Sequence, residues 1–389
     1  MEKVTLNTRD QVRLSVIQEV ACGAICGNEA AVMLGLSMRQ VRRILAAYRR
    51  EGVASVPHGN RGRRPPHALA PEVPSRILAL ARERYPGANY CHFRDVLEER
   101  EGITVSRSTV RRILLQAGLS SPRRRRAPEH RLRRERFPRE GMLLQVDASR
   151  HAWLQGRGPE LTLLAVIDDA TGTVPAAVFW EREDHWGYLH VLQTMAAGRG
   201  LPLALYADRH AIFWPGNHDA QTLDVRTETQ VGRILRELGI RLIYAHSPEA
   251  KGRIERWWGT CQDRLVRELA WAGATTREEA NVVLGRFVAE HNHRFGQAAG
   301  EAGTAYRPWP ADLDPNRVFR LKEVRIGRRD NTVLWRGDVW QLYPPRGHRG
   351  YARASIEVLE GPEGELTMAH KGVVVTAAHV TKATKTRAA

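Results

Sequence analysis

From Gly141 to Trp271 the chain sets out one order of elements that few folds can use. Three short apolar runs come first, Met142 to Asp147, Leu161 to Asp168 and Val174 to Trp180, bounded by Gly, Pro and Asp-rich turns. That spacing predicts an antiparallel meander. Helix and strand then alternate: a helix over Asp184 to Ala197, a strand over Leu203 to Ala207, a helix over about Glu228 to Leu238 and a strand over Arg241 to Ala245. A long helix from Ser247 to Trp271 follows, with Ser as its cap and Pro in its first turn.

Acids end the first and fourth of these strands. Asp147 closes Leu143 to Val146, and Asp208 follows Ala207. A carboxylate at the exposed tip of a buried strand costs desolvation and returns nothing to the core. Two such strands, joined by Glu255 on the nearby helix, point to hard-cation chemistry. Two Mg2+ ions about 3.5 to 4 Å apart, with Mn2+ as a substitute, would then clamp the attacking and leaving oxygens of a phosphodiester exchange.

The helix supports this reading. Lys251, Gly252, Glu255 and Gly259 share one face, while Ile254, Trp258, Cys261 and Leu265 form an apolar stripe. Gly252 removes side-chain bulk where a DNA backbone would approach, and Lys251 would neutralise a phosphate beside the metals. Taken alone, Lys251 and Glu255 read equally as a surface i,i+4 pair worth a few tenths of a kcal/mol. Their company with Asp147 and Asp208 favours the catalytic reading.

The rest of the chain is written for a polyanion. Sixty Lys plus Arg stand against 43 Asp plus Glu, a formal charge of +17, and the pI is near 10.4. The first 120 residues hold a near-repeat: Ser37 to Leu45 and Ser106 to Leu114 align residue for residue. In each copy Ser is a predicted N-cap. Val41, Ile44, Leu45 and Tyr48, or Val110, Ile113, Leu114 and Ala117, fall on one helical face. With shorter helices upstream, around Val12 to Ala21 and Glu29 to Leu34, then Ser75 to Arg84 and Tyr90 to Glu101, these read as two helix-turn-helix units. Arg39, Arg42 and Arg43, and Arg107, Ser108, Arg111 and Arg112, would face a major groove. An Arg-studded solvated face on an ordinary bundle is the plainer alternative, and the duplication in a strongly basic chain weighs against it.

Two linkers separate the parts. Val56 to Pro66 is too rich in Pro, Gly and Arg to pack, and its Arg61, Arg63 and Arg64 would serve as a minor-groove arm. Pro122 to Arg139 carries nine Arg, including Arg123, Arg124, Arg125 and Arg126, and repels itself unless phosphates neutralise it. The expected division is a first helix-turn-helix unit at 1–56, a linker at 57–72, a second unit at 73–121, an Arg-rich linker at 122–140 and the α/β core at 141–300. A small all-β barrel at 315–380 completes it, from five short strands: Val318 to Ile326, Thr332 to Trp335, Asp338 to Leu342, Ala352 to Glu357 and Leu366 to Ala369.

Competing features read as structural. Asp168 and Asp169 open an Asp-Ala-Thr-Gly turn; Asp219 and Asp224 read as loop surface, and His210 as only suggestive beside Asp208. His291-Asn292-His293 lies late in an amphipathic helix without the hairpin of an HNH nuclease, so it reads as a polar helix end. Cys22, Cys26, Cys91 and Cys261 are too few and scattered for a disulfide framework. A zinc site with His92 fits no common spacing, which leaves the cysteines as small buried hydrophobes. No run is long and apolar enough to span a bilayer and the N-terminus lacks a signal-peptide centre, so the expected location is cytoplasmic, with no membrane partner.

With Val146-Asp147-Ala148-Ser149, Tyr206-Ala207-Asp208 and Ala250-Lys251-Gly252-Arg253-Ile254-Glu255-Arg256 in place, the chain resembles insertion-sequence transposases of the DDE/integrase superfamily, nearest the ISNCY-type branch. The resemblance spans nearly the full length and implies a ribonuclease-H-like core. It makes Asp147, Asp208 and Glu255 the metal-binding triad, with Mg2+ (two ions per site) as the cofactor. It further implies binding of terminal inverted repeats and target DNA, strand cleavage and transfer, and an oligomer of at least two chains on double-stranded DNA. The stretch from Asp208 to Glu255 is longer than integrases typically have, with the surplus in Ala211 to Leu223. The rivals are a ribonuclease-H-like nuclease that cuts without joining and a non-catalytic helix-turn-helix regulator.

Overall fold

Three helices, α1 (Thr8–Ala21), α2 (Gly27–Leu34) and α3 (Met38–Glu51), build the first of two units into which the chain divides, Met1–Ser75 and Arg76–Ala389. The computed structural model describes residues 6–57, 60, 68–122, 134–214, 228–244, 251–347 and 349–380. In α3 the predicted cap forms: the Ser37 side chain accepts from the Gln40 amide, and the Gln40 side chain answers at the Ser37 amide. Val16, Ile17, Ala30 and Val41 are buried together, with Ile44, Leu45 and Tyr48 packed against them. That leaves Arg39, Arg42 and Arg43 on the exposed side of α3.

The second unit opens on the same plan. Helix α4 (Glu72–Ala79), which enters this unit at Arg76, runs on through a π turn at Leu80–Arg84; α5 (Tyr90–Glu101) and α6 (Arg107–Gln116) follow. Ser106 caps α6 as its counterpart caps α3, accepting from the Thr109 amide at 3.2 Å. Val110, Ile113 and Leu114 are buried, while Arg107, Ser108, Arg111 and Arg112 are exposed.

The core is one five-stranded sheet in the order β3-β2-β1-β4-β5, formed by β1 (Leu144–His151), β2 (Leu161–Asp168), β3 (Ala176–Trp180), β4 (Ala204–Ala207) and β5 (Arg241–Tyr244). The first three strands form the antiparallel meander; β4 joins β1 in parallel and β5 joins β4. This is the expected ribonuclease-H-like plan. Every residue of β2 is buried, because both sheet faces are covered. Helices α7 (His185–Arg199) and α8 (Gln230–Glu237) cover Leu144, Val146, Leu164 and Val166. On the other face α9 (Gly252–Thr260), α10 (Val266–Trp271) and α11 (Arg277–Phe295) cover Leu163, Ala165, Ile167 and Phe179.

Several boundaries differ from expectation. Strand β1 runs past Asp147 to His151, so Asp147 lies within the strand opposite Ala165 and not at its tip. Apart from Ala148 the residues beyond it are polar, but β2 supplies their ladder partners. A π turn at Cys261–Leu265 separates α9 from α10 in the long helix, whose foreseen Ser247 cap lies outside the described residues. After the short α12 (Pro315–Val318) come six strands where five were expected: β6 (Leu321–Ile326), β7 (Thr332–Trp335), β8 (Asp338–Tyr343), β9 (Ser355–Glu360), β10 (Leu366–His370) and β11 (Val373–His379). They pair in the order β6-β9-β10-β11-β8-β7 around Val333, Leu342, Ile356, Val358 and Met368. The additional β11 is joined to β10 by Lys371-Gly372 alone, both at positive φ, a two-residue hairpin without the Asn-Gly or Asp-Gly signature. Among the described residues no helix is long and apolar enough to cross a membrane.

Candidate active site

Parallel pairing of β1 with β4 sets the site. The register matches Leu144 with Leu205 and Gln145 with Tyr206, which carries Asp147 and Asp208 to the same level of neighbouring chains. One ammonium bridges them. Lys251 Nζ lies 2.7 Å from Asp147 Oδ1 and 3.6 Å from Asp208 Oδ2, so those two oxygens are no further apart than the sum of the two lengths. The Lys251 side chain is only 8% exposed, a burial that a lysine tolerates when paired. The second Asp147 oxygen accepts the Trp258 indole N–H at 2.9 Å. Asp208, more open, accepts the His210 backbone N–H at 3.1 Å, which gives His210 a local turn role.

Glu255 stands one turn along α9 from Lys251 and is exposed. The structure therefore joins Asp147, Asp208 and Lys251 and leaves Glu255 outside that group. Among the described residues no group of three or more Asp, Glu, His or Cys side chains is placed to hold a metal ion. The surface pair of Lys251 with Glu255 gives way to the ion pair with Asp147. The apolar stripe of α9 is as expected, with Ile254, Trp258, Cys261 and Leu265 all buried.

Sequence patterning does not reveal what fastens α9. Gln145, two residues before Asp147 and fully buried, accepts the Ile254 amide at 3.2 Å and donates to Asp169 Oδ1 at 3.0 Å. Asp169 also pairs with Arg253, at 3.1 Å, and with Arg134. Asp168 is the expected turn acid, accepting from the Thr171 amide and hydroxyl and from Gly141. Asp169 is instead the hub that ties the strand carrying Asp147 to the helix carrying Lys251 and Glu255. Burial, with Arg134, Arg136 and Arg256 nearby, pulls the Arg253 guanidinium below its usual range despite Asp169.

A second unforeseen network docks α5 on the core. His92 Nε2 and Arg100 each reach Glu268 at 2.8 Å, and Asp95 takes Arg264 at 2.8 Å and Arg294. Asn89 adds a 2.6 Å bond to Asp263. Burial would raise the Glu268 carboxyl, but the His92 bond and the Arg100 charge outweigh it and hold the group below its usual range. His92 is thereby spoken for, and among the described residues no zinc cluster forms. Cys22 and Cys26 are exposed and Cys91 half-buried, so only Cys261 is the buried hydrophobe expected of all four.

The His291-Asn292-His293 string is structural. The Asn292 side chain accepts from the Val174 amide at 2.7 Å and donates to its carbonyl at 2.9 Å, as a neighbouring strand would. His291 is buried, and burial pulls its pKa down from 6.5 to about 4. The folded protein keeps this ring neutral, while the unfolded chain takes up the proton below pH 6.5. Stability is therefore complete above pH 6.5 and falls by about 1.4 kcal/mol per pH unit toward pH 4. Urea midpoints at pH 7 and pH 5 should differ less in His291→Phe than in the unsubstituted protein. Equal differences would remove His291 as the cause.

Of the expected DNA contacts, Arg61, Arg63, Arg64, Arg123, Arg124, Arg125 and Arg126 lie outside the described residues, as do Asp219 and Asp224. The chain matches the family described as a homeodomain-like domain over residues 40–114, from α3 to α6. It is 36% identical over 377 residues to y4bF of Sinorhizobium fredii (strain NBRC 101917 / NGR234), whose own name marks it as a candidate transposase; the match covers 96% of this chain and 81% of y4bF. It is also 36% identical over 316 residues to the transposase for insertion sequence IS1202 of Streptococcus pneumoniae, covering 72% of this chain and 67% of that one. Among solved structures it is similar to a simian T-cell lymphotropic virus intasome in complex with PP2A regulatory subunit B56 gamma, at 12% identity and a TM-score of 0.33, covering 78% of this chain and 99% of that one. That structural likeness is too slight to add weight. The identity across almost the whole chain places it among the insertion-sequence transposases, DNA-binding proteins with helix-turn-helix units ahead of a ribonuclease-H-like core.

Proposed function

We propose that this transposase binds the terminal inverted repeats of its element through the units at 1–56 and 73–121 and cuts and joins DNA at a divalent-metal site built on Asp147, Asp208 and Glu255. The observation that carries the reading is the shared ammonium: two carboxylates from neighbouring parallel strands converge on one cation. The donor set is all hard oxygen, which suits Mg2+ and Mn2+ and not a softer metal. Asp147 and Asp208 would hold the ions and Glu255 would complete their shell from α9. Bound ions would supply the Lewis acid that activates the attacking oxygen and stabilises the leaving one.

The protein's own groups do the rest. Trp258 fixes the rotamer of Asp147 through its indole N–H. The Asp169–Gln145–Arg253 set holds α9 against β1. Water would cut the element ends to leave 3'-hydroxyls, and these would attack target phosphodiesters in line, with no covalent protein intermediate. Paired ends require at least two chains on the DNA.

Removing residues 1–120 would strip α5 from α10 and α11, so end recognition is better tested by substitution. Arg111→Ala with Arg112→Ala should weaken binding of an end fragment about ten- to a hundredfold and lower the salt slope by about 0.9 for each phosphate no longer neutralised. The same is expected of Arg42→Ala with Arg43→Ala. Unchanged affinity and slope in gel shifts would take these helices out of the recognition. A supercoiled target separates the rivals: cutting without joined product marks a nuclease, and binding without reaction a regulator.

A further inference from the structure

We propose that Lys251 is a built-in counter-cation that divalent ions must displace from Asp147 and Asp208, so that metal loading and DNA docking are coupled through one side chain. This rests on the metal reading of the same site.

Three observations carry it. First, the Lys251 ammonium bonds directly to Asp147 Oδ1 and stands 3.6 Å from Asp208 Oδ2, occupying the carboxylate face that would ligate an ion. The other Asp147 oxygen already accepts the Trp258 indole N–H, so the oxygen that Lys251 holds, linked through its ammonium to Asp208, is the one free of that bond. Second, charge forbids sharing. One ammonium against two carboxylates leaves a net negative site, which attracts a divalent ion; once the ion is seated, the ammonium beside it is repelled at close range. Third, the displaced side chain has somewhere to go. At Gly252 a Cβ would meet nothing within 4 Å, and the same holds at Gly259 on that face of α9. A DNA backbone lying there would offer the released ammonium a phosphate. Lys251 then serves the two carboxylates before metal binds and the substrate afterwards.

The test is Mn2+ binding to the purified full-length chain by titration calorimetry, for the unsubstituted protein, Lys251→Met and Lys251→Arg, each without DNA and with an end fragment. Thermal unfolding with and without Mn2+ accompanies it. Lys251→Met keeps the stem and removes the charge; it should bind Mn2+ about tenfold more tightly, melt lower without metal, and regain more on adding Mn2+. Lys251→Arg, which keeps the charge, should bind no more tightly than the unsubstituted protein. DNA should tighten Mn2+ binding more in the unsubstituted protein than in Lys251→Met, since only the former also gains by handing its ammonium to a phosphate. Equal or weaker Mn2+ binding by a folded Lys251→Met would overturn the inference while sparing the metal site. Absence of Mn2+ binding in every form would overturn both. If Lys251→Met fails to fold, Lys251→Gln, uncharged but with an amide N–H to donate toward Asp147, replaces it under the same criteria.

Discussion

Asp147→Asn should lower end cleavage and joining in Mg2+ by on the order of a thousandfold or more, about 4 kcal/mol of transition-state stabilisation, while end binding stays near that of the unsubstituted protein. The substitution is nearly isosteric. The new amide would keep an oxygen for the Trp258 indole, and the ladder opposite Ala165 is made by backbone, so the strand survives. What disappears is the full negative charge on a ligand that the fold holds at the level of Asp208. The recognition helices α3 and α6 are untouched, so gel shifts on an end fragment serve as the internal control. Asp208→Asn and Glu255→Gln should behave alike, and the Glu255 result matters most because that carboxylate stands apart from the other two. Strand transfer within about tenfold of normal in any of the three would remove that residue from the mechanism.

Local patterning makes much of this molecule legible. The span Leu161 to Asp168 is readable to the residue because burial on both faces leaves an apolar run interrupted only by Thr162 and closed by Asp168. The two serine caps are readable because a cap is a local hydrogen bond, closed within three residues. The limits are physical as well. Asp147 looks like a strand end because the apolar run before it stops at Val146, yet the backbone as far as His151 still pairs with β2. Trp258 reads only as part of an apolar stripe, since helical periodicity shows which face is buried but not where an indole N–H points. Asp147 and Lys251 are 104 residues apart, and His92 and Glu268 176 apart, so no window of sequence contains both members of either pair. Sequence alone therefore assigns the lysine to DNA, and it presents the second helix-turn-helix unit as a module on a linker instead of one fastened to α10 and α11.

That fastening leads to the largest expected effect on stability. Asp95 is buried between Arg264 of the turn after α9 and Arg294 near the end of α11, and replacing it by Ala leaves the Arg264 guanidinium without this carboxylate and Arg294 with Glu99 alone. Breaking a buried pair from one side costs about 3 to 5 kcal/mol, more than the pair itself contributes over a hydrophobic substitute. Glu268→Ala should cost a similar amount, because it takes the carboxylate from the buried His92 ring and leaves Arg100 only Glu290, at 3.9 Å. The two sites serve one interface of α5, so the double substitution should fall short of the sum of the singles. Denaturant unfolding read by tryptophan fluorescence would report it, since Trp271 packs against both His92 and Tyr85 at this junction. The same substitutions separate two ways of being a recognition module. If α6 is held at a fixed distance from Asp147 through this interface, a partly loosened variant such as Glu268→Gln should still bind an end fragment yet cut it at scattered positions. If it cuts at a single position with normal fidelity, the register of cleavage is set elsewhere on the DNA, and the α5 network is only a source of stability.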